Sequence, residues 1–570
     1  MPWVSIQAHN NPIHLVLLTP PLILLWVLFH TFVYSRWLSV YKNLPGPNFP
    51  RKGEDWETDW HPLFGQFGTI LRAEAGVKQA EWAKKYGGEK GVVRVVGPFG
   101  FERLMFTRPQ AYQQIWIDKA SSFVRPDFMT GVLRSVVGDG LLTKEGEEHR
   151  RFRRVLGPAF APAHLADLVP EFYPILNNAS NILNEKLKES GEAIIDMYDI
   201  MSRTTLDIIC WTSFGYKCDS LLTHSNELAS AYEQLISLQS GSNLSILILV
   251  NFIPLAPRLI PYIGKLGAYL RPSSKDADPH YMAPGLKGRL DQRLRVIGMF
   301  SDAMTRIKKV SAEIMDQKRR EVKQDAQGGS EGWRKDIMSL LVKSNVGQGI
   351  GARGGGLTED EMMDQILMTL GAGHETTASG MTWTLLLLAQ NPRVQSKLRN
   401  ELAGMLERNM EPDMKELNEL QYLDAVVRES LRVRPPVPMT FRKALEDVVI
   451  DGTYVKAGTV CYMGIRVINN SPEIWGEDAA EFKPERWLNL PPDHPAQAFQ
   501  SFIHGPHQCI GNKMALIELK AMVLHLVGKY EYELVSPDQV ITPTSAVTMK
   551  PKEGLHLRVR KTKLAANLVS

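Results

Sequence analysis

Cysteine is scarce, with 4 among 570 residues. Cys210, Cys218, Cys461 and Cys509 are too scattered or poorly matched for a disulfide framework or a four-thiolate zinc site, so a reducing compartment is expected. A surplus of one charge sign is also missing: the formal net charge is +4, with 22% of residues charged and a pI of about 8.6. So mild and even a balance argues against nucleic acid as a partner, though it allows a basic patch for an acidic protein. No internal repeat is present. What remains is an ordinary globular composition, 44% hydrophobic, long enough for one large domain or a few smaller ones and for burying a large cofactor.

Long uncharged apolar runs are rare too, and the one that stands out is N-terminal. Residues 13–33, "IHLVLLTPPLILLWVLFHTFV", match the ~20 residues a helix needs to span a bilayer. They predict a membrane anchor over 13–35 behind a short lumenal tail, 1–12. That tail holds no Lys or Arg, whereas Arg36, Lys42, Arg51 and Lys52 follow, which puts the rest of the chain on the cytoplasmic side. A charged leader and a small-residue cleavage site are both absent, against a cleaved signal peptide. Pro20 and Pro21 predict a kink. The sequons at Asn178, Asn243 and Asn469 then face away from the glycosylation machinery and read as chance. Residues 36–61, with the proline-rich "NLPGPNFP", read as a stiff, hinge-like linker. One domain over 62–562 and a tail over 563–570 complete the division.

Within that domain "GVVRVVG" (91–97) and "RLMF" (103–106) predict a β-hairpin, and little else before Ile450 alternates with period two. Most of the remainder has helical spacing, as in residues 303–324. The expected fold class is mainly α with a smaller β region. Residues 321–334 and 345–356 read as glycine-bearing surface loops. Gly347, Gly349 and Ala352 mimic a dinucleotide fingerprint, but no strand leads into it. Residues 245–264 are apolar yet broken by Pro254, Pro257, Pro261 and Arg258, which fits a segment lying on a membrane surface.

A long helix is predicted from Thr358, spaced with Glu361 as a capping box, to Asn391. Its middle, "GAGHETTASG" (371–380), has glycines where large apolar groups belong, at ~1 kcal/mol each. Either the helix packs tightly there and its threonines bond back to carbonyls, or small residues clear room for a flat ligand while Glu375 and Thr376 guide protons. Glu429 and Arg432 are spaced three apart on another helix, an ordinary surface pair unless Arg486 completes a buried cluster. Last, "SFIHGPHQCIGNK" (501–513) brackets Cys509 with glycines, which is open to three readings: a buried structural thiol, a nucleophile or a metal ligand.

The ordered elements decide among them. Phe502, Gly505, Cys509 and Gly511, preceded by Glu429-x-x-Arg432, the Pro-Glu-Arg of Arg486 and the acid–threonine helix, resemble the cytochrome P450 family of haem-thiolate monooxygenases over residues 44–559. The resemblance implies the cytochrome P450 fold, haem b (iron protoporphyrin IX) with Cys509 as iron ligand, and a structural cluster of Glu429, Arg432 and Arg486. It implies that Gly505 and Gly511 let the backbone approach the porphyrin and that Cys509 has a lowered pKa. Propionate donors are expected in His507, Arg442, His149 and Arg153, with His149 standing where the family carries tryptophan. Thr376 and Glu375 are the expected catalytic pair. Residues 123–142 and 245–263 and the Met368 side of the long helix are expected around an apolar pocket.

The implied partners are a lipophilic small molecule, O2, NADPH–cytochrome P450 reductase and membrane lipid, with no nucleic acid. The implied setting is the endoplasmic reticulum membrane, single-pass, and the overall look resembles fungal microsomal members acting in secondary metabolism such as terpenoid biosynthesis. Two alternatives remain open on sequence alone: a reductase-independent haem-thiolate isomerase or dehydratase, and a non-catalytic membrane haem or lipid carrier.

Overall fold

The computed structural model describes residues 12–47, 61, 63–223, 226–238, 285–326, 336–345, 357–544 and 547–562. Among them the helices of ten or more residues are α1 (Pro12–Phe29), α2 (Val77–Tyr86), α3 (Asp127–Val137), α4 (Gly146–Leu156), α5 (Phe172–Leu187) and α6 (Met197–Phe214). They continue with α7 (Glu227–Ser237), α8 (Gly285–Ala326), α9 (Glu359–Gln390), α10 (Pro392–Leu406), α11 (Gln421–Val433) and α12 (Asn512–Lys529). The 32-residue α9 opens with the expected capping box: Thr358 Oγ1 accepts from the Glu361 amide while the Glu361 carboxylate accepts from Thr358 N. Helix α8 carries the predicted 303–324 pattern further, through Ala326. Residues 321–326 are therefore helix rather than loop, continuing the backbone of α8.

The predicted hairpin is present as β1 (Val92–Val96) and β2 (Glu102–Phe106), paired antiparallel. Three strands not foreseen precede Ile450: β3 (Phe123–Val124), β4 (Glu192–Asp196) and β5 (Thr440–Ala444). Further on come β6 (Val448–Ile450), β7 (Thr453–Val455), β8 (Val460–Met463), β9 (Tyr530–Leu534) and β10 (His556–Lys561). One sheet runs β1-β2-β8-β5-β3, a second β4-β10-β9, and β6 and β7 form a third. In the first sheet β2 and β8 are parallel, so that distant stretches of chain meet beside Cys461.

Two apolar cores meet along α9. Met362 to Leu370 belong to a core shared with α4, α6, α7 and α8. Met381 to Ala389 belong to another, shared with α5, α10, α11 and α12. The glycine-rich middle of α9 lies at the seam, and so does the cysteine loop, with Ile510 and Met514 against the first core and Phe502 and Ile517 against the second.

At the N-terminus α1 runs uninterrupted through Pro20 and Pro21, and a π-helical stretch (His30–Leu38) extends it. Residues 21–38 form a helix long and apolar enough to cross a membrane. Ser39 Oγ donates to both Glu102 oxygens at 2.7 and 2.6 Å, Arg94 N donates to Pro45 O at 2.8 Å, and Tyr41 OH meets Thr459 Oγ1 at 2.7 Å. These tertiary hydrogen bonds fix residues 39–47, a strap, to the sheet; residues 48–60 of the expected linker lie outside the described residues. The dinucleotide-like glycines, residues 245–264 and most of 270–290 lie outside the described residues.

Candidate active site

Gly505 opens a short 3-10 turn (Gly505–His507) just before Cys509. Its φ is +72°, and a Cβ there would sit 1.9 Å from the Trp116 carbonyl oxygen, so only glycine closes this turn. The glycine requirement thus comes from Trp116. Gly511 is less constrained, since a Cβ added to it would meet only the Phe160 ring, at 3.9 Å. Cys509 N donates to Phe502 O at 3.0 Å. The Cys509 side chain is accessible, unlike the other three cysteines, which are buried. Yet crowding by protein atoms pushes its thiol above the ordinary value, against the opposing pull of the Gly511 amide and the Arg153 charge. Accessible surface and strong desolvation coexist where a side chain opens into a concavity rather than onto bulk water. The expected lowering of this thiol is therefore not a property of the polypeptide alone; a bound metal cation would supply the missing counter-charge.

Beside this loop lies a cationic cradle. The Arg153 guanidinium donates to Gln508 O at 2.9 Å. His149 and His507 stack with ring centroids 4.1 Å apart, and His507 Nε2 lies 3.1 Å from Glu145 Oε2. Burial, with the positive neighbours His507 and Arg153, lowers His149 to about 4, so it is a neutral donor at pH 7. Arg442, 2% exposed, stands over the Trp116 ring at 4.5 Å and uses Nη1 on Phe441 O, while its Nη2 finds no partner among the described residues. Burial and the Arg125 charge lower it to about 9. Arg125 itself is buried, donates to Leu142 O and reaches Glu145 at 3.5 Å.

Sequence reading missed Arg125 and Glu145. An arginine directly after the apolar pair Phe123-Val124 was the available signal for Arg125. Glu145 had none, being one acid in a charged run. The geometry brings Arg125 beside Arg442 because β3, ending at Val124, pairs with β5 at Lys443 and Ala444.

The α9 side resolves the two readings of its glycine-rich middle. A Cβ on Gly371 would meet Val137 Cγ1 at 2.9 Å, and one on Gly373 would meet Ile209 Cδ1 at 2.6 Å. These glycines admit α3 and α6. The room is left instead by Ala372, exposed in the middle of this otherwise buried helix, and by half-buried Thr376 one turn on. The Thr376 hydroxyl donates to Ala372 O at 2.6 Å. The Glu375 carboxylate is buried and accepts from Thr548 Oγ1 at 2.6 Å. The pair is adjacent in sequence but the two side chains bond to different partners.

Beneath the cysteine loop the Glu429–Arg432–Arg486 cluster is assembled. Glu429 and Arg432 are fully buried and joined by two 2.8 Å hydrogen bonds. Arg432 also donates to the carbonyls of Asn469, Ala479 and Glu481. Arg486 reaches Glu429 at 3.4 Å and Trp475 O at 2.7 Å, and Trp487 Nε1 donates to Glu429 at 2.9 Å. With every polar atom served, this is no surface pair of a few tenths of a kcal/mol but a saturated buried network of the kind that fixes local conformation. Asn469 links it to the cysteine loop, donating to Ser501 Oγ at 2.9 Å and accepting from Gln500 N at 2.8 Å, which also removes that sequon from the surface.

Comparison with known proteins agrees with this arrangement. The sequence model described as Cytochrome P450 matches residues 57–261 and 293–558. The chain belongs to the cytochrome P450 family. It is 33% identical to Cytochrome P450 monooxygenase 205 of Postia placenta, over 90% of each chain. It is 31% identical to Cytochrome P450 monooxygenase sphH of Aspergillus fumigatus, over 93% of this chain and 90% of that one. Cytochrome P450 monooxygenase ALT8 of Alternaria alternata shares 28% over 94% and 92%. The chain is accordingly an oxidoreductase of a family that carries haem iron. The residues present fit that P450 cofactor. An accessible thiol offers an iron ligand, and a buried guanidinium whose Nη2 has no partner among the described residues, amid three arginines against one glutamate with two histidines as further donors, calls for the negative charge that haem propionates bring.

Proposed function

We propose that this P450 is a membrane-anchored monooxygenase that inserts one oxygen atom of O2 into a lipophilic small molecule. Cys509 would hold the iron of haem b, and Arg125, Arg153, Arg442, His149 and His507 would hold its propionates. When bound, the haem activates O2 with electrons that come from NADPH through NADPH–cytochrome P450 reductase. The chain's own part is to exclude water and to move protons. Val137 at the end of α3, Leu141 in the turn after it and Met368 on α9 share one apolar cluster, and would supply the walls a lipophilic substrate needs. Thr376 and Glu375 guide protons toward the oxygen-binding side. The reading includes a single-pass anchor in the endoplasmic reticulum with the domain cytoplasmic, supported by the apolar helix of residues 21–38. It also includes a role in fungal secondary metabolism such as terpenoid biosynthesis, supported by fungal relatives.

The observation that carries the reading is the accessible Cys509 thiol beside an under-neutralised cationic cradle. The carbon monoxide difference spectrum of the reduced protein tests it. Wild type is expected to give the band of a thiolate-ligated iron, and Cys509→Ser to lose it together with NADPH-dependent turnover. A Cys509→Ser protein that keeps both would overturn the assignment.

A further inference from the structure

The Glu375 carboxylate on α9 meets the C-terminal segment, 173 residues along the chain. That segment is bolted to the same helix face. The Met549 carbonyl accepts from Ser379 Oγ and from Trp383 Nε1, both at 2.6 Å, and these residues follow Glu375 at the i+4 and i+8 positions. Met549 N donates to Pro436 O at 2.7 Å. The residues flanking Met549 are thereby delivered to Glu375: Thr548 Oγ1 donates to Glu375 Oε1 at 2.6 Å, and Lys550 Nζ lies 4.0 Å from the same oxygen. All three are at least nine-tenths buried, with exposures of 8%, 6% and 6% for Glu375, Thr548 and Lys550.

We propose that Thr548 and Lys550 are positioning residues for proton delivery, holding the Glu375 carboxylate at a fixed station on α9 one residue from Thr376. The proposal rests on the oxygenase reading above. A buried carboxylate beside a buried ammonium is stable only while both stay charged and close. Removing the ammonium takes away that counter-charge and frees the carboxylate from its station. Burial lowers Lys550 to about 8, with Glu375 opposing the fall, so the ammonium is lost as pH rises through that value. The other titratable groups facing this site are His374 on α9, whose own lowering owes part to Lys550, Tyr198 on α6 and Tyr232 on α7, both sensing the Glu375 charge.

The test reads how oxygen leaves. NADPH gives two electrons; O2 released as H2O2 consumes one NADPH and two protons, whereas reduction to two waters consumes two NADPH and four protons. Poor proton delivery therefore raises H2O2 released per NADPH in the haem-loaded full chain reconstituted with reductase. Wild type is expected to show that ratio rising as pH increases through about 8. Lys550→Met is expected to be about threefold higher at neutral pH and flat, and Lys550→Arg low and flat, because arginine keeps its charge. Thr548→Val is expected to raise the ratio while preserving the pH dependence, and it serves if Lys550→Met does not fold. A second readout needs no turnover: in lysine-labelled protein followed by NMR, the Lys550 titration midpoint should fall by about one unit or more in Glu375→Gln. Ratios unchanged in Lys550→Met and Thr548→Val, or an unmoved Lys550 midpoint, overturn the proposal. A wild type that consumes no NADPH refutes the oxygenase reading instead, and the NMR shift then decides the contact by itself.

Discussion

Thr376 is a helix-interior threonine whose hydroxyl is already occupied, donating to Ala372 O at 2.6 Å. Such a bond costs the helix little to lose, and alanine is the better helix former by roughly 0.5 kcal/mol. Thr376→Ala should therefore leave the thermal midpoint within a degree or two while diverting electrons, with H2O2 per NADPH rising about threefold or more. Binding of an apolar probe, followed through the haem absorption, should change much less. An unaltered peroxide ratio would remove Thr376 from the proton path. The residues of this site divide by how they could be found. Cys509, Gly505 and the Glu429–Arg432–Arg486 set were legible through the ordered motifs of the family resemblance; residue spacing alone left the cysteine open to three readings, and Arg486 lies 57 residues from Glu429. Arg125, Glu145, Thr548 and Lys550 were not, because each acquires its role from strand pairing or a loop closure far along the chain. The sequence shows the donors around Cys509 but not the crowding that raises the thiol of the polypeptide by itself, because that crowding is tertiary.

At the level of elements, the contact between the N-terminal helix with its strap and the β1–β2 hairpin turns on one buried ion pair. Arg94 and Glu102 face each other across the hairpin with side chains 3% and 8% exposed. Arg94 also donates to Ser35 O, and Glu102 accepts from Ser39, so the pair grips the strap from both sides. Its removal from one side leaves an uncompensated buried carboxylate, at about 3–5 kcal/mol when nothing relaxes. Arg94→Met in detergent-solubilised full chain should release the strap, read as faster protease cleavage between anchor and domain with the haem spectrum retained. Cleavage at the wild-type rate would mean that the remaining contacts of residues 39–47 suffice. The hairpin was readable from the four valines around Arg94, and α9 from its capping box. The strap's fixation was not, since proline-rich composition describes stiffness and says nothing of what the backbone carbonyls bond to. Strands β4 and β5 escaped because their stability comes from remote partners, β10 and β8, rather than from alternation within five residues.

Over the whole molecule, joining two cores along α9 buries titratable side chains that have no role in the proposed chemistry, and these set the pH response of stability. Glu518 on α12 is 3% exposed, its Oε1 has no partner among the described residues, and burial pushes its carboxyl up to about 8. A folded-state value above the unfolded one means that its contribution is intact at pH below about 4.5 and is lost progressively as pH rises to about 8. His374 and His525, buried and lowered to about 4 and about 3, act in the opposite sense. Their contributions are intact above about pH 6.5 and are lost as pH falls toward the folded-state values. Between about 4.5 and 6.5 two histidines gain stability with pH while one glutamate loses it, and above 6.5 only the loss continues, so these groups place the maximum near pH 6.5. Glu518→Gln removes the falling limb. Urea unfolding of the detergent-solubilised chain should show the variant more stable than wild type by a few kcal/mol, on the order of the pKa displacement, at pH 8, and nearly equal to it at about pH 4.5. An equal gain at both pH values would trace the effect to packing, and no gain at pH 8 would mean that Glu518 is hydrated in the folded state.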